Sequence, residues 1–155
     1  MKSNHWSGVI AGIAAGLVFG VMMQMMMAPT PDGGQMPMMA MVAMSVRSDS
    51  LVVGWVYHLF NSAVIGAIFG WLCSRRIHGY SSAFLWGAGY GLFWWVLGAL
   101  ILMPIMLGMP TFAPLIMEPM RLVAMGSLIG HILFGLILGG VFVLLSRRSA
   151  SVQTA

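Results

Sequence analysis

Two histidines, His58 and His131, are the residues of this chain best suited to chemistry. Each lies inside a long apolar stretch, where an ionisable ring is costly enough to count as a functional hypothesis by default. A neutral imidazole donates a hydrogen bond from one nitrogen and accepts at the other, and it can also carry a proton or ligate a metal. Asn61 and Ser62 follow His58 at i+3 and i+4, on the same helical face, where they can orient the ring. The matching positions after His131 hold Phe134 and Gly135, so a site built on the pair is asymmetric. The plainer reading makes both rings neutral, hydrogen-bonded residues that glue helices together.

Other chemistry has little to draw on. No Asp or Glu interrupts the apolar stretches, and no phosphate loop, paired-Cys motif or zinc-spaced His cluster is present. Catalysis is therefore not expected, nor is a resident cofactor. The 17 methionines invite a copper reading, because soft thioethers select Cu(I). A metal would draw on His58, His131, Met36 and Met109. Bis-His haem is the related alternative. Lone Cys73 has no partner for an internal disulfide and reads as a small apolar filler.

The two histidines belong to an internal repeat. One shift lays His58 on His131 and also lays Met36-Pro37-x-x-Ala40 on Met109-Pro110-x-x-Ala113, Met44 on Met117, Gly66 on Gly139, Phe69 on Phe142 and Arg75 on Arg148. Upstream, a shift two residues longer lays Gly12 on Gly87, Gly16-Leu17 on Gly91-Leu92 and Pro29 on Pro104. Repeat 1 covers about 7–76 and repeat 2 about 82–148, in a single membrane domain with a disordered tail at 149–155. The repeat also controls the copper reading. Met22, Met25, Met26 and Met27 correspond to Leu97, Leu100, Ile101 and Leu102, so most of the methionine exchanges with plain aliphatics, as a flexible filler does.

The elements that carry these residues must lie in lipid. Hydrophobic residues make up 60% of the chain and charged ones 6%, against about 25% charged in an ordinary soluble domain. Four uncharged stretches, 8–28, 51–73, 83–103 and 122–145, are each long enough to cross a ~30 Å hydrocarbon core as a helix. Helices are required because backbone polar groups in lipid must be satisfied within their own segment. The first stretch is expected to remain rather than be cleaved as a signal, because the third is its repeat partner. The expected fold is an all-α integral membrane protein: four transmembrane helices in two tandem, parallel-repeat hairpins. Lys2, Arg75, Arg76, Arg147 and Arg148 gather on one side, which puts both termini in the cytoplasm. The basic balance then addresses anionic lipid rather than nucleic acid. In an up-down bundle the second and fourth spans are diagonal, so two inward-pointing imidazoles can approach one another.

Glycine spacing marks the packing faces. Gly8, Gly12, Gly16 and Gly20 form a groove down the first span, and the pairs Gly66/Gly70, Gly87/Gly91 and Gly135/Gly139 repeat the spacing elsewhere. Such faces suit packing within the chain, a homo-oligomer or docking on a larger membrane complex. Phe93, Trp94 and Trp95 stand where the first repeat has Val18, Phe19 and Gly20, so the rings of the third span are expected to fill the groove of the first. The two outward loops are apolar yet broken by prolines, and are expected to be interfacial or re-entrant caps.

His58-x-x-x-Ser62, the glycines Gly87, Gly89 and Gly91, the run Pro104…Gly108…Pro110 and Gly130-His131 together resemble small bacterial inner-membrane proteins of the YagU-like type. The resemblance covers residues 58–148, and the Met-rich first loop departs from it. It implies a multi-pass protein of the bacterial cytoplasmic membrane with a link to envelope or acid stress. No catalytic residue is carried over. The functional expectation is a non-enzymatic small transporter, channel or stress component using the His pair. The alternatives are an accessory subunit docking through its glycine faces and a haem- or copper-binding redox protein.

Overall fold

The computed structural model describes residues 5–30 and 32–151, and within them four helices are long and apolar enough to cross a membrane. The first is α1 (His5–Met25) and the second is α3 (Leu51–Cys73). The third runs without a break through α4 (Tyr80–Trp94), a π-helical stretch (Trp95–Leu102) and α5 (Met103–Met106). The fourth is α7 (Arg121–Ser151). Lys2 and residues 152–155 of the expected tail lie outside the described residues. The second helix keeps the bounds of its apolar stretch, and the others depart from theirs by a few residues at their ends.

Backbone contact at glycines holds the helices together. A Cβ on Gly8 would overlap the Gly66 carbonyl of α3, and one on Gly12 would overlap the Ser62 carbonyl and approach Gly66 Cα to 2.9 Å. Between α4 and α7, Gly87 lies against the Gly135 carbonyl and Gly139 against the Ala83 carbonyl. The two contact sets share one register: Gly12–Ser62 corresponds to Gly87–Gly135, and Gly8–Gly66 to Ala83–Gly139, under the same shifts that align the sequence. Cross-packing between the hairpins runs through α1 and α7, where Gly130 receives the Phe19 ring and Gly126 the Met26 side chain.

The groove of α1 is thus filled by α3, not by the rings of the third span. Gly66 and Ser62 press on Gly8 and Gly12, and the Trp55 ring occupies the space at Gly20. Phe93 is 54% exposed. Backbone-to-backbone approach wins because it brings far more atoms into contact than a ring lying across a shallow groove. Trp55 is held at Gly20 by a hydrogen bond from its Nε1 to Gln24 Oε1 at 3.3 Å.

Around the bundle the order is α3, α1, α7, α4. The fourth side of this circuit is barely packed. Where α3 and α4 do meet, Tyr90 OH donates to the Ile65 carbonyl at 2.8 Å, and its ring lies near Phe69, which in turn meets Phe142 edge-on. That aromatic cluster closes the end nearer the short 74–79 connection.

The opposite end carries both long loops. After α1, strands β1 (Met27–Pro29) and β2 (Gln35–Pro37) form an antiparallel hairpin with Ala28 opposite Met36. At its tip Gly33 takes φ +84°, and the Thr30 hydroxyl with the Gly34 backbone holds the Asp32 carboxyl below the usual range. Helix α2 (Met38–Ser45) then lies on α3, with Met39 and Ala43 fully buried against Gly54. The second loop has α6 (Ala113–Ile116) and a 3-10 turn (Glu118–Met120) leading into α7.

Pro104 explains how the second loop docks. It has no N–H for the Leu100 carbonyl four residues back, and its ring crowds that oxygen. The helix widens there to π geometry, and the orphaned Leu100 carbonyl accepts from Phe112 N–H at 2.7 Å. Phe112 reaches it with φ +62°. The first loop makes a similar return contact, Met38 N–H to the Met26 carbonyl at 2.8 Å.

Two outcomes test this packing. Gly12→Leu sets a side chain against backbone on the facing helix and is expected to lower stability in detergent by about 3 kcal/mol or more, whereas Leu17→Ala, at a position 48% exposed, changes it by less than about 1 kcal/mol. Pro104→Ala returns a donor to Leu100, and the Phe112 amide is then expected to exchange with deuterium about tenfold faster, the equivalent of one lost hydrogen bond.

Candidate functional site

His58 sits two turns into α3 and His131 three turns into α7, both in the half of the bundle that bears the long loops. His58 Nε2 lies 2.9 Å from the Gly16 carbonyl of α1. A carbonyl only accepts, so this nitrogen carries the proton and Nδ1 is left as an acceptor. His131 Nδ1 lies 2.8 Å from the Ser127 carbonyl one turn earlier in its own helix, which leaves Nε2 as its acceptor. Neither acceptor nitrogen has a hydrogen-bond partner among the described residues. The two rings use their bonds differently: His58 ties α1 to α3, whereas His131 folds back on α7.

Phe19 of α1 brings the pair into one neighbourhood. Its ring meets His58 edge-on at 5.7 Å between centroids and His131 at 4.8 Å. Phe19 stays in place because Gly130 of α7 leaves room for its edge. Trp55 stacks edge-on against the other side of His58 at 6.4 Å.

Both histidines line one cavity of about 280 Å³ in the gap between α3 and α4. Phe19 and Phe134 contribute aromatic wall from α1 and α7, and Trp94 and Gly98 contribute the α4 side. The loop-rich end is covered by Met38 and Val42 of α2 and by Met103 and Met106 of α5. At the other end stands the Phe69–Tyr90–Phe142 cluster. Val64 of α3 and Leu102 of the π-helical stretch line the cavity yet are 41% and 43% exposed, as is Met106 of the cover at 45%, so the mouth lies on the side of the bundle and extends toward the loop-bearing end. No charged side chain lines it.

The polar residues expected beside His58 take other roles. Ser62 Oγ donates to the His58 carbonyl at 2.8 Å, a bond within the helix, and so does not touch the ring. Asn61 lines the cavity. The polar neighbour of His131 is Ser127, one turn before it on α7 rather than after it, a position as legible from i−4 spacing as Ser62 is from i+4; its Oγ lies 3.4 Å from Nδ1. Phe19, Trp94 and Gly98 were also missed as site residues. The alignment of Phe19 with Trp94 carried a usable signal, since a bulky ring at both repeat positions marks a wall facing the centre.

Of the methionines named for a metal, Met109 lines a separate void of about 30 Å³ with Met38, Met41, Met103 and Met120, while Met36 lies in β2 and lines neither cavity. No group of three or more His, Cys, Asp or Glu able to hold a metal occurs among the described residues. Cys73 is buried and free. The glycines named for packing are engaged inside the chain: Gly8, Gly12, Gly16, Gly20, Gly66 and Gly70 between α1 and α3, and Gly87, Gly91, Gly135 and Gly139 between α4 and α7. Gly89 and Gly98 have open space where a side chain would be.

Comparison with protein-family models, curated proteins and solved structures finds no match for this chain.

The hydrogen bonds set an expected order of stability. His58→Phe breaks a bond between two helices and is expected to cost about 1 kcal/mol in reversible unfolding from bicelles. His131→Phe breaks only a bond within one helix and is expected to cost less. The reverse order would show that the bond from His58 to Gly16 does not hold α1 to α3.

Proposed function

We propose that this is a non-enzymatic multi-pass protein of the bacterial cytoplasmic membrane that takes a small lipophilic molecule from the bilayer into the His58/His131 cavity, for uptake or carriage. The observation that carries this reading is the shape of the cavity: covered by α2 and α5 at one end, closed by the Phe69 cluster at the other, and open between α3 and α4. Val64 at the mouth lies about 20 Å along α3 from its start, well inside a ~30 Å hydrocarbon core. A solute entering there comes from lipid rather than water. The absence of charge on the lining suits a neutral ligand, and the two histidines, with Asn61, Tyr57 and the indole N–H of Trp94, supply the few polar groups that fix its orientation.

The proposed topology is two like-oriented hairpins with both termini inside, and the shared glycine register of the pairs α1–α3 and α4–α7 supports it. Basic residues at the short-connection end support the orientation. Arg76 lies 5.0 Å over the Trp86 ring and Arg147 5.1 Å over Tyr80, the aromatic and cationic mixture favoured at a cytoplasmic interface. Docking on a larger complex would have to use surfaces other than the glycine faces, because those are consumed within the chain.

Size sets the test. An apolar cavity of about 150 Å³ accepts benzene, so 280 Å³ suits a ring or two with the start of a tail. The protein in lipid nanodiscs is expected to bind the fluorophore N-phenyl-1-naphthylamine saturably. Gly98→Leu, which adds bulk to the cavity wall where nothing stands within 4 Å, should weaken that binding about tenfold or more with thermal stability unchanged. Equal binding by the wild type and Gly98→Leu would overturn the reading.

A further inference from the structure

The two histidines select among lipophilic molecules, because both present the same half of a hydrogen bond. The Gly16 carbonyl takes the proton-bearing nitrogen of His58, and the Ser127 carbonyl takes that of His131. Each ring is thereby fixed in one neutral tautomer, and no carboxylate lines the cavity to hold either as an imidazolium. What remains is one acceptor on each of two rings, and no donor from the pair. The buried indole N–H of Trp94, which has no partner, adds a donor to the lining, so a hydroxyl can donate to a histidine and accept here, whereas a molecule with only carbonyl or ether oxygens leaves both imidazole acceptors unmet. Leaving such a buried acceptor unmet on binding costs affinity, so the pair discriminates by proton content as well as shape.

Geometry narrows the class further. Both imidazoles stand one ring contact from the same Phe19, one on α3 and one on α7, on either side of the cavity's back wall. With centroid contacts of 5.7 and 4.8 Å to one shared ring, the two imidazoles are close enough together for a single flat molecule with a donor at each end to reach both. Phe19, Phe134 and Trp94 offer ring faces and edges for a flat body between them. The mouth at Val64 and Leu102 leaves an exit into lipid for an apolar tail.

We infer that the cavity binds a 1,4-dihydroxy aromatic ring on an apolar tail, the reduced quinol form of a membrane-dissolved quinone, through hydrogen bonds from its two hydroxyls to His58 Nδ1 and His131 Nε2. The inference rests on the reading of the cavity as a lipid-accessible binding site and adds the chemistry that the site selects. It concerns binding alone and involves no electron transfer.

The test displaces N-phenyl-1-naphthylamine from the full chain in nanodiscs, using decyl-1,4-hydroquinone kept reduced under anaerobic conditions and its 1,4-dimethyl ether. The ether has the same ring and tail with both donors blocked. The hydroquinone is expected to displace the probe at least about tenfold more effectively, the value of one to two hydrogen bonds made in place of unmet acceptors. In the double variant His58→Phe/His131→Phe, which keeps a ring against Phe19 at both positions, that preference should fall to within about twofold. Should the double variant not fold, the single variant His131→Phe, which breaks no bond between helices, is expected to lose a large part of the preference. Equal displacement by hydroquinone and ether in the wild type overturns the inference and leaves the cavity reading standing. Failure of the probe to bind the wild type at all overturns both.

Discussion

Close approach of backbone to backbone at glycine is the interaction on which the rest of this molecule depends. Lipid tails are as apolar as leucine, so helices surrounded by them gain nothing from mere hydrophobic burial. They gain from dispersion and polar contact at short range, which a Cβ would prevent. Gly8 and Gly12 seat the carbonyls of α3, and Gly87 seats that of Gly135 on α7. Once these two pairs have formed, few choices remain. The Phe19 ring enters the notch at Gly130 and joins α1 to α7, while the glycines of α3 that approach another helix closely are already taken by α1 and α2.

The cavity follows from that allocation. It lies where the bundle has no close contact to make, and it survives because aromatic and thioether side chains close its two ends. Its chemistry is set in the same way. Gly16, with no side chain, leaves its carbonyl within reach of His58 Nε2. The ring that holds α1 to α3 is therefore also the ring whose second nitrogen is left as an acceptor without a partner, so the packing role and the proposed binding role of His58 follow from one bond. The packing role and the proposed binding role do not compete, because one ring nitrogen meets the Gly16 carbonyl and the other has no partner among the described residues.

Proline organises the loop-bearing end by a comparable substitution of partners. Pro104 deprives the Leu100 carbonyl of its helical donor, and Phe112 supplies another from the loop. The apolar second loop is thus anchored to the third span by an unmet helical acceptor, and the π-helical widening beside it places Gly98 on the cavity wall. The first loop uses strand pairing for part of its course, with Met38 and Met39 folded inward from the helix that follows. Greasy residues in both loops, unexpected for solvated connections, serve as cover for the bundle's end.

Composition and spacing by themselves determined the number of helices long and apolar enough to cross a membrane and the residues at which helices come closest. Sixty per cent hydrophobic content and four uncharged runs mark four helices long and apolar enough to cross a membrane, and glycine every fourth residue marks a face for close contact. The weight placed on His58 and His131 was likewise legible, because an ionisable ring in an apolar run stands out. What only the tertiary structure decided was the pairing. A glycine groove accepts any helix, so nothing local assigned α3 rather than Phe93, Trp94 and Trp95 to α1, and nothing local put Ser127, Phe19 and Gly98 around the histidines. Periodicity tells which face of a helix seeks a neighbour; the identity of that neighbour emerges only when every face competes at once for the closest fit.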